Sequence, residues 1–188
     1  MSRLGRLCLV WPALASTLAA QVPPADRQIT AAVSAAPEPL RAGATVLGYS
    51  NYHHLVTLRE GTNDLICLGD DPAESNFHVA CYARDLEPFM ARGRALREEG
   101  RTRGEVDSVR LAEIKSGALK MPDHPSALYS LTGRADSVNA VTGVAAGAEP
   151  LYVIYAPYAT PQSTGLSTVP VGGQPWLMYP GLPWAHIM

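Results

Sequence analysis

The chain has 188 residues, of which 47% are hydrophobic and 17% are charged, and its formal net charge is −2. This length suits one domain, or at most two small ones, and the apolar content is sufficient for a hydrophobic core. The weak acidity argues against nucleic-acid binding, which requires a basic face.

Residues 1–20 have the pattern of a secretory signal peptide. Arg3 and Arg6 precede a short apolar run that ends in small residues suited to cleavage. The alternative is an uncleaved anchor, but the run is short for a membrane span and Pro12 interrupts it. We therefore expect export to the periplasm or the extracellular space, with no membrane span left after cleavage.

Two cysteines remain once Cys8 leaves with the leader. Cys67 and Cys81 lie in two strand-like runs, and a simple hairpin centred on Glu74 places them directly opposite each other. An even pair in an oxidising compartment favours a structural disulfide. The alternatives are two buried free thiols or a redox pair, although the spacing is not C-x-x-C.

Four regions follow the leader along the mature chain. They are an N-terminal helix and linker at 21–43, an antiparallel meander at 44–83, two charged helices at 84–120, and uncharged aromatic strands and a tail rich in Pro and Gly at 121–188. The pattern predicts a single α+β domain. We expect a four- to six-stranded antiparallel sheet, with the two amphipathic helices packed on one face.

The charged residues are distributed unevenly. Segment 84–120 carries half of them and predicts helices at Asp85–Gly100 and Gly104–Gly117. Its arginines could bind an anion or a lipid head group, but interleaved carboxylates favour a solvated helix face. The basic residues in question are Arg92, Arg94, Arg97, Arg101 and Arg103.

The segment from Pro150 to Met188 contains no charged residue and half of the aromatic residues of the mature chain. Trp and Tyr rings suit sugars, peptides or proline-rich partners, so this tail is the predicted ligand-binding surface. The predicted contact residues are Trp176, Tyr179, Trp184 and His186. The alternative is that these rings complete the core.

A hydrolase is the competing enzymatic hypothesis, with His124 or His186 acting beside a carboxylate. Asp123-His124-Pro125 could orient an imidazole, and Ser126 is one of several candidate nucleophiles. Capping and turn formation explain the tripeptide equally well. The sequence does not identify a catalytic residue.

Metal and cofactor signals are weak. His53 and His54 lie at a turn where adjacent side chains diverge, and an acidic loop around Asp70 and Asp71 lacks the calcium-loop pattern. The chain also lacks the common nucleotide-binding and metalloprotease motifs. The sequence therefore predicts neither a metal nor a cofactor.

Segments Gly43–Gly61, Leu65–Met90 and Pro175–Met188 together resemble small exported bacterial proteins of no assigned function. The resemblance implies export and carries over no active site, substrate or cofactor. Our leading hypothesis is a non-enzymatic exported domain that binds an unidentified ligand or protein partner. The alternatives are the small secreted hydrolase and a structural envelope protein.

Overall fold

The computed structural model describes residues 22–51 and 54–188. The predicted signal peptide at 1–20 lies outside the described residues, as does His53. The helices are α1 (Ala25–Val33), α2 (Glu38–Arg41), α3 (Glu87–Glu98), α4 (Arg103–Lys115) and α5 (Pro161–Thr164). The strands are β1 (Thr45–Asn51), β2 (His54–Arg59), β3 (Leu65–Leu68), β4 (Asn76–Ala83), β5 (Ser126–Arg134), β6 (Glu149–Tyr155), β7 (Leu177–Met178) and β8 (His186–Ile187).

The eight strands form one mixed sheet in the order β2-β1-β3-β4-β5-β6-β8-β7. The α+β class is confirmed, but the predicted four- to six-stranded antiparallel meander is wrong in its detail. The pairing of β1 with β3 is parallel, and β2 lies on the other side of β1 as an edge strand. The second half of the chain adds four further strands.

The parallel pair arises because the loop after β2 passes around the start of β1. The carbonyl oxygen of Gly43 accepts hydrogen bonds from the backbone N–H groups of Thr62 and Asn63, at 2.7 and 3.0 Å. Gly61 allows this close crossing, since a Cβ atom there would lie 2.2 Å from the backbone nitrogen of Thr45. The chain then runs alongside β1 in the same direction.

The β3–β4 hairpin has the predicted register. Cys67 pairs with Cys81, and the two are joined by a disulfide with an S–S distance of 2.08 Å. The pair is completely buried and belongs to a core formed with α1. The disulfide is compatible with an exported protein.

Helix α1 covers one face of the sheet with small side chains. Ala31 and Ala32 of α1, and Ala36 in the turn after it, pack against a layer that includes Val46 and Val79. The buried Gln28 anchors the helix to β1, because its side-chain amide donates to the Tyr49 carbonyl at 2.9 Å and accepts from the Tyr49 N–H at 2.7 Å. Helix α1 occupies the face opposite α3 and α4, and the sequence had made no prediction about its face.

Helices α3 and α4 pack on the second face, close to their predicted positions. Apolar residues of α3 join a cluster that includes Ile66, Tyr82 and Leu86. Those of α4 join a neighbouring cluster around Phe89 and Trp184. Helix α4 begins with a capping box, in which Thr102 and Glu105 satisfy each other's backbone N–H groups. Within the described residues, no helix is long and apolar enough to cross a bilayer.

Candidate functional site

A cleft of about 650 Å³ opens between α3 and the second face of the sheet. Its floor is largely apolar and includes Leu68 and Leu128 of the sheet together with Met90 of α3. One wall is the β3–β4 loop, and the other is the outer side of α3. The cleft exists because the helices cover only part of this face. Its volume lies within the range of known small-molecule sites.

The helical wall is held in place by a network around Arg94. Its guanidinium donates to the Glu87 carboxylate at 2.7 Å and to the Tyr82 hydroxyl at 2.9 Å. The Tyr82 hydroxyl in turn donates to Glu87. Burial is the main reason that the pKa of Tyr82 lies well above its usual value. This network neutralises Arg94 and fixes the separation between α3 and the sheet.

Arg97 lies one turn further along the same wall. Its side chain makes no ion pair within 4 Å and no hydrogen bond with any described residue. Desolvation lowers the pKa of its guanidinium, with further contributions from the nearby cations Arg110 and Arg94. The cleft therefore contains a cation that has no carboxylate within 4 Å among the described residues.

The opposite wall is acidic. Asp70 accepts the backbone N–H of His78 at 2.8 Å, and Asp71 accepts the backbone N–H of Ala73 at 2.9 Å. Burial, reinforced by Asp71, raises the pKa of Asp70 despite the hydrogen bond from His78. Burial and the nearby Asp71 also raise the pKa of Tyr49, which lines the cleft between its two walls. The loop carboxylates thus stabilise the turn and also present negative charge to the cleft.

His78 lies on the floor of the cleft, on β4. Its side chain is exposed, and desolvation in the cleft lowers its pKa from the ordinary value of 6.5. It is paired across the ladder with Thr132 on β5, which is also exposed and lines the cleft. Both residues are accessible to a bound molecule.

The predicted tail residues lie around a different part of the second face. Trp184 is only 5% exposed and stacks on Phe89 with ring centroids 5.8 Å apart. His186 is also buried, its Nδ1 lies 2.9 Å from the Trp184 carbonyl oxygen, and burial lowers its pKa. Tyr179 is half-buried, and its hydroxyl accepts a hydrogen bond from Arg103 at 2.8 Å.

Trp176 is half-buried, and its backbone pairs with that of Met188. The four tail residues therefore do not all face one open surface, and Trp184 and His186 make internal contacts. Their role as ligand contacts stays a prediction, for which only Trp176 and Tyr179 retain partly exposed side chains.

A second cavity, of about 490 Å³, is lined by the candidate His124 together with Asp85 and Ser126. His124 Nε2 lies 2.7 Å from Asp85 Oδ2, and His124 Nδ1 lies 2.9 Å from Asp123 Oδ1. The hydrogen bond with Asp123 is the main reason that the pKa of His124 is raised above 6.5. The buried Ser126 donates to Asp85 Oδ2 at 2.6 Å.

The hydrogen-bond partners in this cluster differ from those in a serine-hydrolase triad. Ser126 is bonded to a carboxylate and not to the imidazole, and both ring nitrogens of His124 already contact carboxylates. A triad instead requires the imidazole to accept the proton of the serine. His186, the other predicted histidine, has no carboxylate partner in the part of the chain that the structure describes.

The acidic loop provides little support for a metal centre. Asp70 and Asp71 already accept backbone hydrogen bonds. Within residues 22–51 and 54–188, no three His, Cys, Asp or Glu side chains are grouped so that they could hold a metal ion.

Individual residues of the cleft were noted in the sequence, but no pattern predicted that they line one site. Asp70 and Asp71 were candidates for a calcium loop, and Arg97 belonged to a solvated basic face. The signal that could have joined them is the alternation along β4, which places His78 and Tyr82 on the face opposite Cys81. The contribution of Tyr49 could not be found in this way, because it depends on the unexpected position of β1.

Comparison with protein-family models, curated proteins and solved structures finds no match for this chain.

Proposed function

We propose that this protein is a non-enzymatic exported domain that binds a small amphipathic ligand in the cleft between α3 and the sheet. The observation that supports this most directly is the incomplete cover of the second sheet face. Leu68 and Leu128 of the sheet, with Met90 of α3, are left open beneath a wall that carries Arg97, whose side chain has no ion pair within 4 Å among the described residues. Concave apolar sites with a few polar groups are the usual form of small-molecule sites.

The walls of the cleft are held by contacts that do not need a ligand. Arg94, Glu87 and Tyr82 bond to one another on the helical side. The carboxylates of Asp70 and Asp71 bond to the backbone of their own hairpin on the other side. A preformed site of this kind loses little conformational entropy on binding, which favours affinity.

Binding of a neutral, environment-sensitive dye tests whether the cleft is a ligand site. Nile red should bind the folded protein with a stoichiometry of one and increase in fluorescence. Thr132→Trp should weaken binding by about tenfold or more, because an added indole at this exposed strand position occupies the cleft. The measurement is a fluorescence titration, with circular dichroism to verify the fold.

The matched control is Ile154→Trp, an exposed strand position on the opposite face of the sheet. This control should bind Nile red as the unchanged protein does. If Ile154→Trp abolishes binding and Thr132→Trp does not, the dye occupies the other face and the cleft is not the site. Absence of any binding to the folded protein would also overturn the proposal.

A secreted hydrolase at His124 stays the competing prediction. The specific observation in its favour is that His124, Asp85 and Ser126 share one cavity. A fluorophosphonate reagent tests it, since an activated serine would be labelled at Ser126 and labelling would disappear in Ser126→Ala. Because Ser126 donates to Asp85 and not to His124, we expect no labelling.

A further inference from the structure

We propose that the ligand of the cleft is a zwitterion with an apolar body, an ammonium group directed to the β3–β4 loop and a carboxylate directed to Arg97. This inference rests on the proposed binding function and specifies the chemistry of the ligand. It follows from the separation of Asp70, Asp71 and Glu74 from Arg97 across the cleft, since none of these four side chains forms an ion pair within 4 Å with a described residue.

The acidic wall provides the position for the ammonium group. Asp70, Asp71 and Glu74 all line the cleft, and none of them forms an ion pair within 4 Å with any described residue. The bonds of Asp70 and Asp71 to backbone N–H groups leave lone pairs available for a cation. Desolvation already raises the pKa of Asp70, so a bound cation would relieve an unfavourable charge.

The helical wall provides the position for the carboxylate. Arg97 differs from its neighbour Arg94, whose guanidinium is bonded to Glu87 and Tyr82. Glu98 also lines the cleft but does not approach Arg97 within 4 Å. A guanidinium presents paired N–H donors that match the two oxygens of a carboxylate.

Tyr49 connects the two walls. Its hydroxyl experiences the charges of Asp70 and Asp71 on one side and of Arg94 on the other, all of which affect its pKa. Its ring also offers an apolar face on which a cation can lie. Between the charged ends, a ligand would contact Leu68, Met90 and Leu128 on the floor.

Three forms of one dipeptide separate the contributions of the two charges. Leucyl-phenylalanine with free termini is the zwitterion, its N-acetyl derivative is an anion, and its C-terminal amide is a cation. Isothermal titration calorimetry at pH 7 should show that the zwitterion binds about tenfold more tightly than either other form, because each charged contact adds to affinity. Equal affinity for all three forms would overturn the inference.

Two variants that each remove one charge identify the contacts. Asp71→Asn should weaken binding of the zwitterion and of the C-terminal amide by about tenfold and leave binding of the N-acetyl form unchanged. The loop should keep its shape, because the new side chain can still accept the Ala73 N–H. Arg97→Gln should weaken binding of the zwitterion and of the N-acetyl form and leave binding of the C-terminal amide unchanged. If neither variant changes the order of affinities, the proposed ligand orientation is wrong.

Nile red binding distinguishes the failure of this inference from the failure of the binding function. If the dye binds in the cleft and Thr132→Trp blocks it, but the dipeptides fail to bind or show no charge preference, only the ligand class is overturned. If neither the dye nor any dipeptide binds, both proposals are overturned.

Discussion

The two faces of the sheet are covered by helices of very different composition. Helix α1 presents alanines, and its close approach buries Val46, Val79 and the disulfide almost completely. Helices α3 and α4 present larger side chains and carry many charges, and they leave a cleft over the same strands. Small side chains allow the backbone of a helix to approach the sheet, whereas bulky and charged side chains keep it further away.

The polar contacts of the two faces also differ. On the first face, the Gln28 amide bonds directly to the backbone of β1. On the second face, Arg94 bonds to Glu87 of its own helix and to Tyr82 of the sheet, so that a side-chain network spans the gap. A directly anchored helix closes its face, while a helix held by long side chains leaves space for another molecule.

The largest expected effect of a single substitution is on the second face. Trp184→Ala should lower the free energy of unfolding by about 3–5 kcal/mol, because it removes a buried indole that stacks on Phe89. The same change at the half-buried Trp176 should cost markedly less. Urea denaturation measures both, and equal small losses would show that Trp184 is not part of the core of this face.

Removing the disulfide tests the first face. Combined Cys67→Ala and Cys81→Ala substitutions should lower the free energy of unfolding by about 3 kcal/mol, given a sequence separation of 14 residues. Nile red binding should be retained under conditions where the variant is folded, because the disulfide lies under α1 and not in the cleft. Loss of dye binding by the folded variant would contradict the independence of the two faces.

Replacing Gln28 removes the polar anchor of α1. Gln28→Ala should cost about 1–3 kcal/mol, because the side-chain amide bonds to the Tyr49 N–H and carbonyl and to the Pro23 carbonyl. Thr30→Ala on the same helix is the control, since its exposed hydroxyl bonds only to the Asp26 carbonyl. Guanidinium denaturation of both variants measures the difference, and equal costs would show that the anchor contributes little.

The sequence pattern predicted those helices and hairpins whose formation depends on residues close together in the chain. The register that joins Cys67 to Cys81 follows from a short hairpin with a period of two, and the positions of α3 and α4 follow from their apolar spacing. The crossing at Gly61 was not predicted, because it depends on contact with the backbone at Thr45. An alternation pattern does not show which strand will lie beside which.

The cleft was not predicted for a related reason. It joins Tyr49 of β1, Asp71 of the β3–β4 loop and Arg97 of α3, which are brought together only by the sheet order and by the distance between α3 and the sheet. Gln28 was missed as well, since a single polar residue in an Ala-rich helix gives no indication that it is buried. In the aromatic tail, Trp184 packs on Phe89 of α3.

The smallest effect concerns the pH dependence contributed by His124, which links the start of β5 to the turn before α3. Asp123 and Asp85 raise the pKa of His124 in the folded protein above the ordinary value of 6.5. Its stabilising contribution should therefore be complete below pH 6.5 and be lost as the pH rises through the raised folded-state pKa. His124→Gln should remove this loss, so the free energies of unfolding of the two proteins should converge above pH 6.5.

The other shifted histidines act in a different pH range. Burial lowers the pKa of His186, and desolvation in the cleft lowers that of His78, so their contributions are complete above pH 6.5 and decline as the pH falls below it. His186 and His78 are present in both the wild type and His124→Gln, so their contributions cancel in the difference between the free energies of unfolding of the two proteins. Urea denaturation from pH 5 to pH 9 measures that difference, which should be constant below pH 6.5 and decrease above it. A difference that stays constant over the whole range would show that the two carboxylates do not stabilise the imidazolium, and that the link to α3 is maintained by Ser126 and Asp85 alone.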